Sequence, residues 1–270
     1  MCFAETHYEK AILELMRDAL GYDYVYGPDI VREYSNPILD DVLRESLQRI
    51  NPVLPLDAID DAIKRLHQIE GSSLYECNFK FTQMMQYGVE VQYTDAKHQL
   101  KTAIVNLIDY EHEDENNFLV VNQYTIHEHD TKRPDIVVFV NGLPLVVIEL
   151  KSPSRENADA SDAYLQLRNY QKFIPSLFIY NAFNVMSDMA LTKIGTVTAK
   201  EDRYMEWKQP TGEVIDYDVT FKSVFTPKVL LNLLKNYTLF DVREGSYAKI
   251  LAGYHQYYAV EKAAARAEGL

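Results

Sequence analysis

The segment Arg133-Pro134-Asp135-Ile136-Val137-Val138-Phe139-Val140-Asn141-Gly142-Leu143-Pro144-Leu145-Val146-Val147-Ile148-Glu149-Leu150-Lys151 limits what this chain can become more than any other part of it. Residues 136–140 and 145–150 are apolar and mostly β-branched at nearly every position. Such runs read as strands buried on both faces, because a half-exposed strand alternates apolar with polar residues. A turn holding Gly142 and Pro144 joins them. The charges Asp135, Glu149 and Lys151 then meet at one end of a buried hairpin. A carboxylate there loses its water and needs a partner.

The register decides whether those charges meet. Side chains alternate with period two, so a plain two-residue turn at Asn141-Gly142 would set Asp135 against Ile148 and send Glu149 to the other face. A three-residue loop, Asn141 to Leu143, sets Asp135 opposite Glu149 and keeps Lys151 on the same face. The sequence therefore predicts an odd-length loop or one bulge in this hairpin, with Gly142 free to take a positive φ.

If they meet, Asp135 and Glu149 are hard oxygen ligands suited to Mg²⁺ or Mn²⁺, and the backbone carbonyl of Leu150 is a further candidate ligand. Lys151 beside such a cation can orient or help deprotonate a water and offset charge on a phosphate. That set is suited to phosphodiester hydrolysis. The plainer alternative is a buried salt bridge of Lys151 with Glu149 and Asp135 that only holds the hairpin, since Asp…Glu-x-Lys is common by chance.

Composition narrows the class. With 270 residues, 47% apolar and 25% charged, the chain has material for one large globular domain. Its net charge of −13, from 27 basic and 40 acidic residues, is the wrong sign for a general nucleic-acid binder. Any contact with DNA must come from a local basic cleft or from other parts of an assembly. Cys2 and Cys77 have no metal spacing, which fits a reduced, cytoplasmic protein without disulfides. No signal sequence and no membrane-spanning run is expected.

Along the chain, residues 5–20 read as a helix carrying Glu9, which on periodicity alone is a solvated residue. Residues 22–36 look irregular. Residues 37–50, 55–69 and 72–87 read as helices. Residues 89–93, 102–108 and 118–126 read as strands. His127-Glu128-His129-Asp130 is either a transition-metal cluster or a turn into the central hairpin, and Lys132 and Arg133 are candidate phosphate contacts or plain solvated charges. Residues 158–173 read as a helix on which Gln166 and Tyr170, four apart, share one surface. Gln166 can then reach a phosphate or Lys151, with Tyr170 bracing it; alternatively they are rim and core. Residues 176–181 read as a strand with more strand over 184–194, residues 201–210 as a charged loop holding Trp207, and 226–237 as a helix with Thr226 as cap and Pro227 in its first turn. Residues 241–246 look like a linker, and 247–268 a last helix. A strand, a helix and a strand after the hairpin imply a crossover and a mixed sheet.

Pro134-Asp135, thirteen intervening residues, then Glu149-x-Lys151 resembles the PD-(D/E)xK nuclease signature. Together with Val140-Asn141-Gly142-Leu143-Pro144-Leu145-Val146-Val147-Ile148-Glu149-Leu150-Lys151-Ser152-Pro153 and Gln166-x-x-x-Tyr170, the chain resembles the N-terminal nuclease domain of the type I restriction enzyme motor (R) subunit. The resemblance covers nearly the whole chain. It implies an α/β fold with a restriction-endonuclease-like core, a mixed central sheet flanked by helices and an α-rich N-terminal part. It implies catalytic roles for Asp135, Glu149, Lys151, Gln166 and Tyr170, and for an acidic residue on the first helix, matched by Glu9 with Glu5 as the alternative. It implies a nuclease domain over 1–240, then at 241–270 a linker and the opening helix of an ATP-driven motor, where Gln256 would contact adenine. No Gly-x-x-x-x-Gly-Lys-Ser/Thr loop is present, so ATP would be used only by a longer subunit, of which this chain would be a piece. The implied function is Mg²⁺- or Mn²⁺-dependent cleavage of double-stranded DNA without sequence reading of its own, in a complex with modification (methyltransferase) and specificity subunits. The rivals are a stand-alone repair or junction nuclease and a non-catalytic interaction module of the same fold.

Overall fold

The computed structural model describes residues 3–95, 97–151, 160–188, 191–208 and 217–267. Its elements in order are α1 (Phe3–Glu14, continued by one π-helical turn, Leu15–Ala19), β1 (Asp23–Tyr26), α2 (Asp40–Ile50), α3 (Leu56–His67), α4 (Leu74–Tyr87), β2 (Val89–Thr94) and β3 (Leu100–Val105). Then come β4 (Phe118–Asn122), β5 (Ile126–His127), β6 (Thr131–Lys132), β7 (Ile136–Val140), β8 (Leu143–Leu150), α5 (Ala160–Phe173) and α6 (Pro175–Ile179). The chain closes with β9 (Phe183–Ser187), β10 (Thr192–Gly195), β11 (Met205–Glu206), α7 (Tyr217–Phe225), α8 (Pro227–Asn236), β12 (Thr238–Arg243), β13 (Ser246–Leu251) and α9 (Tyr254–Ala267).

The centre is a mixed sheet in the order β1-β4-β7-β8-β9-β10-β11. β7 and β8 are antiparallel neighbours in its middle, and β8 runs parallel to β9 after the α5–α6 crossover. This is the α/β architecture expected, with helices on both faces. Ile136, Val138, Val140, Val146, Ile148 and Leu150 face one core, shared with α1 to α3 and α8. Val137, Phe139 and Val147 face the other, formed with Leu167, Tyr170 and Leu177 of α5 and α6. Two covered faces explain the unbroken apolar runs.

The hairpin turn has two residues, not three: Val140 pairs with Leu143, and Asn141 and Gly142 take φ of 53° and 79°. The expected parity is restored by a bulge. Phe139 pairs with Pro144, Val138 with Val146, and Leu145 is the extra residue. Pro144 explains the position, since a proline in a central strand has no N–H to give and is tolerated at a bulge. The carbonyl that the bulge frees, that of Leu145, accepts from the backbone N–H of Ala182 at 2.7 Å. The turn itself is seated under α2: Leu39 N–H donates to the Gly142 carbonyl at 3.0 Å, and the buried Asn141 amide donates to Leu107 O and Asn116 Oδ1, both at 2.9 Å.

Several expectations need correction. Residues 22–36 are not wholly irregular: β1 is a parallel edge strand on β4, a partner some ninety residues away that local patterning does not reveal. The strand expected at 176–181 is α6, started by Pro175 at its first position, and the next strand begins only at Phe183. Trp207 does lie in a loop, just after β11, and is buried there against Tyr257 of α9. Thr226 stands at the cap position of α8, but its hydroxyl donates to Lys222 O of the preceding helix. Helix α7 had no counterpart in the sequence reading.

The linker and long last helix at 241–268 are instead a β-hairpin followed by a shorter helix. Glu244 and Gly245, at φ of 48° and 78°, make the two-residue turn between β12 and β13. The boundary expected at 240/241 falls inside β12. The hairpin is also stitched to the body. The buried Lys249 donates to Asn78 Oδ1 at 3.0 Å and to Asn181 O at 2.7 Å, and burial lowers its ammonium to about 7. Among the described residues no helix is long and apolar enough to cross a membrane.

The turn is the most sensitive point of the sheet. A Cβ at residue 142 would lie 2.6 Å from Leu39 O and 2.7 Å from Leu43 N, at a φ that side chains resist. Gly142→Ala should cost more than about 1 kcal/mol in urea denaturation; an unchanged midpoint would mean that α2 does not rest on the turn.

Candidate active site

The bulge at Leu145 carries Asp135 and Glu149 to the same place. Ile136 pairs with Ile148, so one further step of the register sets Asp135 opposite Glu149, about 5 Å apart at Cβ. Both follow the parity of Val137 and Val147 and so lie on the face covered by α5. They are 8% and 3% exposed. Holding two acids in so dry a place costs several kcal/mol. The apolar side chains of β7 and β8, almost fully buried at about 1.5–3 kcal/mol each, outweigh that cost.

Each acid is held by named groups. Leu150 N–H donates to Asp135 Oδ2 at 2.8 Å. A strand residue points its N–H and C=O to the same edge, so the Leu150 carbonyl faces Asp135 as well. Lys151 Nζ donates to Glu149 Oε1 at 2.6 Å, and Tyr170 O–H donates to Glu149 Oε2 at 3.0 Å. Gln166, half-buried one helical turn earlier, lies beside the Tyr170 hydroxyl. Burial pushes the Tyr170 phenol well above its ordinary range. Asp135, Glu149, Lys151, Gln166 and Tyr170 are thus one connected group, reached from two strands and one helix.

Glu9 is not a solvated helix residue. It is 6% exposed, and its carboxylate accepts from Asn122 Nδ2 at 2.6 Å and Gln123 Nε2 at 3.1 Å, both at the end of β4. The Glu5 side chain lies outside the described residues. Lys132 is committed elsewhere: it pairs with Asp130 at 2.6 Å and lies over the Phe173 ring. Arg133 is exposed and makes no ion pair among the described residues. The His127–Asp130 segment forms the turn of the β5–β6 hairpin that leads into β7, with the His129 N–H on Phe173 O at 3.1 Å. Gln256 sits apart, on α9, in a groove with Tyr237, Leu239, Ile250 and Val260; its Oε1 accepts from Gly253 N–H at 2.9 Å.

The electrostatics suit a cation. Burial, then the nearby Glu149 charge, raises the Asp135 carboxyl to about 8; the Leu150 N–H and Lys151 only partly offset this, and Glu9 adds to it. Two buried acids and the Lys151 ammonium thus stand together, with Lys151 on Glu149. Among the described residues no three His, Cys, Asp or Glu side chains converge on one point. A cation here would have two carboxylates, one backbone carbonyl and water. That donor set fits Mg²⁺, which keeps several waters and takes one or two carboxylates, better than a metal that needs a full protein cage.

Residues 2–203 match the family model described as type I restriction enzyme R protein N terminus. The chain belongs to that family. It is 34% identical over 96% of its length to the type I restriction enzyme HindI endonuclease subunit of Haemophilus influenzae, covering 26% of that protein. It is 29% identical, again over 96% of its length, to the MjaIXP endonuclease subunit of Methanocaldococcus jannaschii, covering 27% of it. A further relative is the EcoprrI endonuclease subunit of Escherichia coli, 26% identical over 84% of this chain and 72% of that one. The chain thus spans about a quarter of the length of the first two.

Asn122 and Gln123 went unnoticed in the sequence reading. The one signal was their place at the end of an apolar strand, where two consecutive amides interrupt the run.

The raised Asp135 carboxyl has a stability consequence. Between about 4 and about 8 the folded, cation-free chain holds this proton and the unfolded chain does not. Its contribution is therefore full below the unfolded value and is lost as pH rises toward 8. Asp135→Asn should remove that slope and leave the cation-free variant more stable than the unaltered chain above pH 8, by urea denaturation across pH. Parallel pH profiles for the two would contradict the assignment.

Proposed function

We propose that this chain is the DNA-cleaving domain of a type I restriction enzyme R subunit, a hydrolase of phosphodiester bonds in double-stranded DNA that needs Mg²⁺ or Mn²⁺. The observation that supports it most is the bulged hairpin, which sets two buried carboxylates opposite each other with a lysine two residues on. Family membership and the endonuclease names of the relatives support the same reading.

In this reading Asp135, Glu149 and the Leu150 carbonyl hold the cation. When bound, it supplies a Lewis acid that acidifies water and stabilises charge on the phosphate. The remaining work belongs to the chain. Asp135 gives up its proton when the cation arrives, so affinity rises with pH up to about 8. Tyr170 and Lys151 fix the two oxygens of Glu149, with Gln166 beside Tyr170. Lys151, with a fifth of its side chain exposed, is the group able to orient an attacking water and offset phosphate charge. Arg133, exposed beside Asp135, meets the DNA backbone. With a net charge of −13 the domain relies on its partners to hold DNA. Those partners are an ATP-driven motor in the same subunit, in which Gln256 contacts adenine, and separate specificity and modification subunits. Such an assembly works on DNA in the cytoplasm.

The test is a cleavage assay with the full assembly, plasmid DNA, ATP and Mg²⁺. Asp135→Asn, Glu149→Gln and Lys151→Ala should each lower cleavage by about 10³-fold while ATP consumption persists. Cleavage that survives Asp135→Asn refutes the catalytic role. An unaltered enzyme that consumes ATP and never cuts favours an interaction module.

A further inference from the structure

Among the described residues, Gln123 is the one non-glycine residue beside the acidic cluster with a left-handed backbone, at φ 55°. That conformation costs about 1 kcal/mol or more in a residue with a long side chain, and it persists only where its surroundings fix it. Here they do. The Gln123 N–H donates to the Asp135 carbonyl at 2.9 Å, and its side chain donates to Glu9 Oε2 at 3.1 Å. One residue therefore grips two acids that come from α1 and β7, at sequence positions more than a hundred apart. Its neighbour works in parallel: Asn122 Nδ2 donates to Glu9 Oε1 at 2.6 Å, while Asn122 Oδ1 accepts from Tyr24 O–H at 3.1 Å. Gly27 closes against the same two residues. A Cβ there would stand 2.7 Å from the carbonyl oxygens of both Asn122 and Gln123.

The direction of the turn matters. An extended residue after Asn122 would continue β4 and keep its side chain within the alternation of the strand. The left-handed turn lets the Gln123 amide reach α1 while its own N–H keeps the β4–β7 ladder going for one more step. Both Glu9 oxygens thereby accept from amide donors. A carboxylate held in this place acts on whatever occupies the space beside Asp135, to which Gln123 ties it.

We propose that Asn122 and Gln123 form a positioning clamp for Glu9, and that divalent-cation binding at Asp135 and Glu149 depends on this clamp. The proposal rests on the cation-dependent reading above. Glu9 acts through its field at the edge of the site and not as a third ligand, in keeping with the two-carboxylate donor set. The clamp also reaches a ligand residue, since the Gln123 N–H holds the Asp135 carbonyl, and partners that fix a metal ligand are typically worth 10- to 100-fold in metal affinity.

The experiment is calorimetric titration of the 270-residue chain with Mn²⁺, without DNA, for the unaltered chain, Gln123→Gly, Gln123→Asn, Glu9→Gln, the Glu9→Gln/Gln123→Gly pair and Asp135→Asn. Gln123→Gly relieves the left-handed strain, so its melting temperature should hold or rise while Mn²⁺ affinity falls about tenfold. Gln123→Asn keeps tolerance for that backbone with an amide too short to reach Glu9, and should show the same loss. Glu9→Gln should lose affinity too, and adding Gln123→Gly to it should lose nothing more, because a residue that acts through another is silent once the other is gone. Unchanged affinity in both folded Gln123 variants, or losses that multiply in the pair, would overturn the clamp. If Asp135→Asn binds Mn²⁺ as well as the unaltered chain, or the unaltered chain binds none, the cation site itself is wrong and the clamp falls with it.

Discussion

Two carboxylates buried together at the dry end of a central hairpin are the constraint on which the remaining structure turns. The hairpin tolerates them because its apolar flanks bury so much surface. It brings them together because one extra residue, Leu145, shifts the register by a single step. Without that shift the same sequence would place Asp135 and Glu149 on opposite faces. The groups around them then follow. Lys151 and Tyr170 hold Glu149, Leu150 N–H and Gln123 N–H hold Asp135, and the amides at the end of β4 hold Glu9.

The supports of this arrangement come from far along the chain. The Asn141-Gly142 turn is fixed by α2 and by the loop before β4. Tyr8, beside Glu9, bonds Ser187 at 2.6 Å, and the carbonyl of Ser187 accepts from Lys151 N–H at 2.9 Å. Helix α1 is therefore tied both to the strand that carries Lys151 and to the end of β4. The C-terminal hairpin, through Lys249, joins α4 to the loop that precedes β9. This tie places residues 238–251 with the body of the domain and leaves α9 as the element beyond them, packed through Tyr257 on Trp207 and Tyr237.

Much of this was written in the sequence where the signal is local. Doubly buried strands, the turn between them, the helical spacing of Gln166 and Tyr170 and the need for one parity shift could all be read from adjacent residues. The place of the shift was not read from them: the bulge falls next to Pro144, because a central strand has no place for a proline in an intact ladder. What escaped depends on distant partners. β1 is a strand because β4 accepts it. Residues 176–179 are apolar enough for a strand, yet Pro175 starts them as a helix. Glu9 looked solvated because its partners, Asn122 and Gln123, are about 115 positions away. The Glu244-Gly245 turn was the exception, a local hairpin signal read as a linker because charged residues flank it.

The account stands or falls on whether Asp135 and Glu149 share a cation. Anomalous scattering from crystals of this chain soaked in Mn²⁺ measures that directly. The expected result is a manganese peak within ligand distance of Asp135, Glu149 and the Leu150 carbonyl. Ordered carboxylates at those two positions with no peak between them, and Lys151 still on Glu149, would leave a salt-bridged hairpin in place of a cation site.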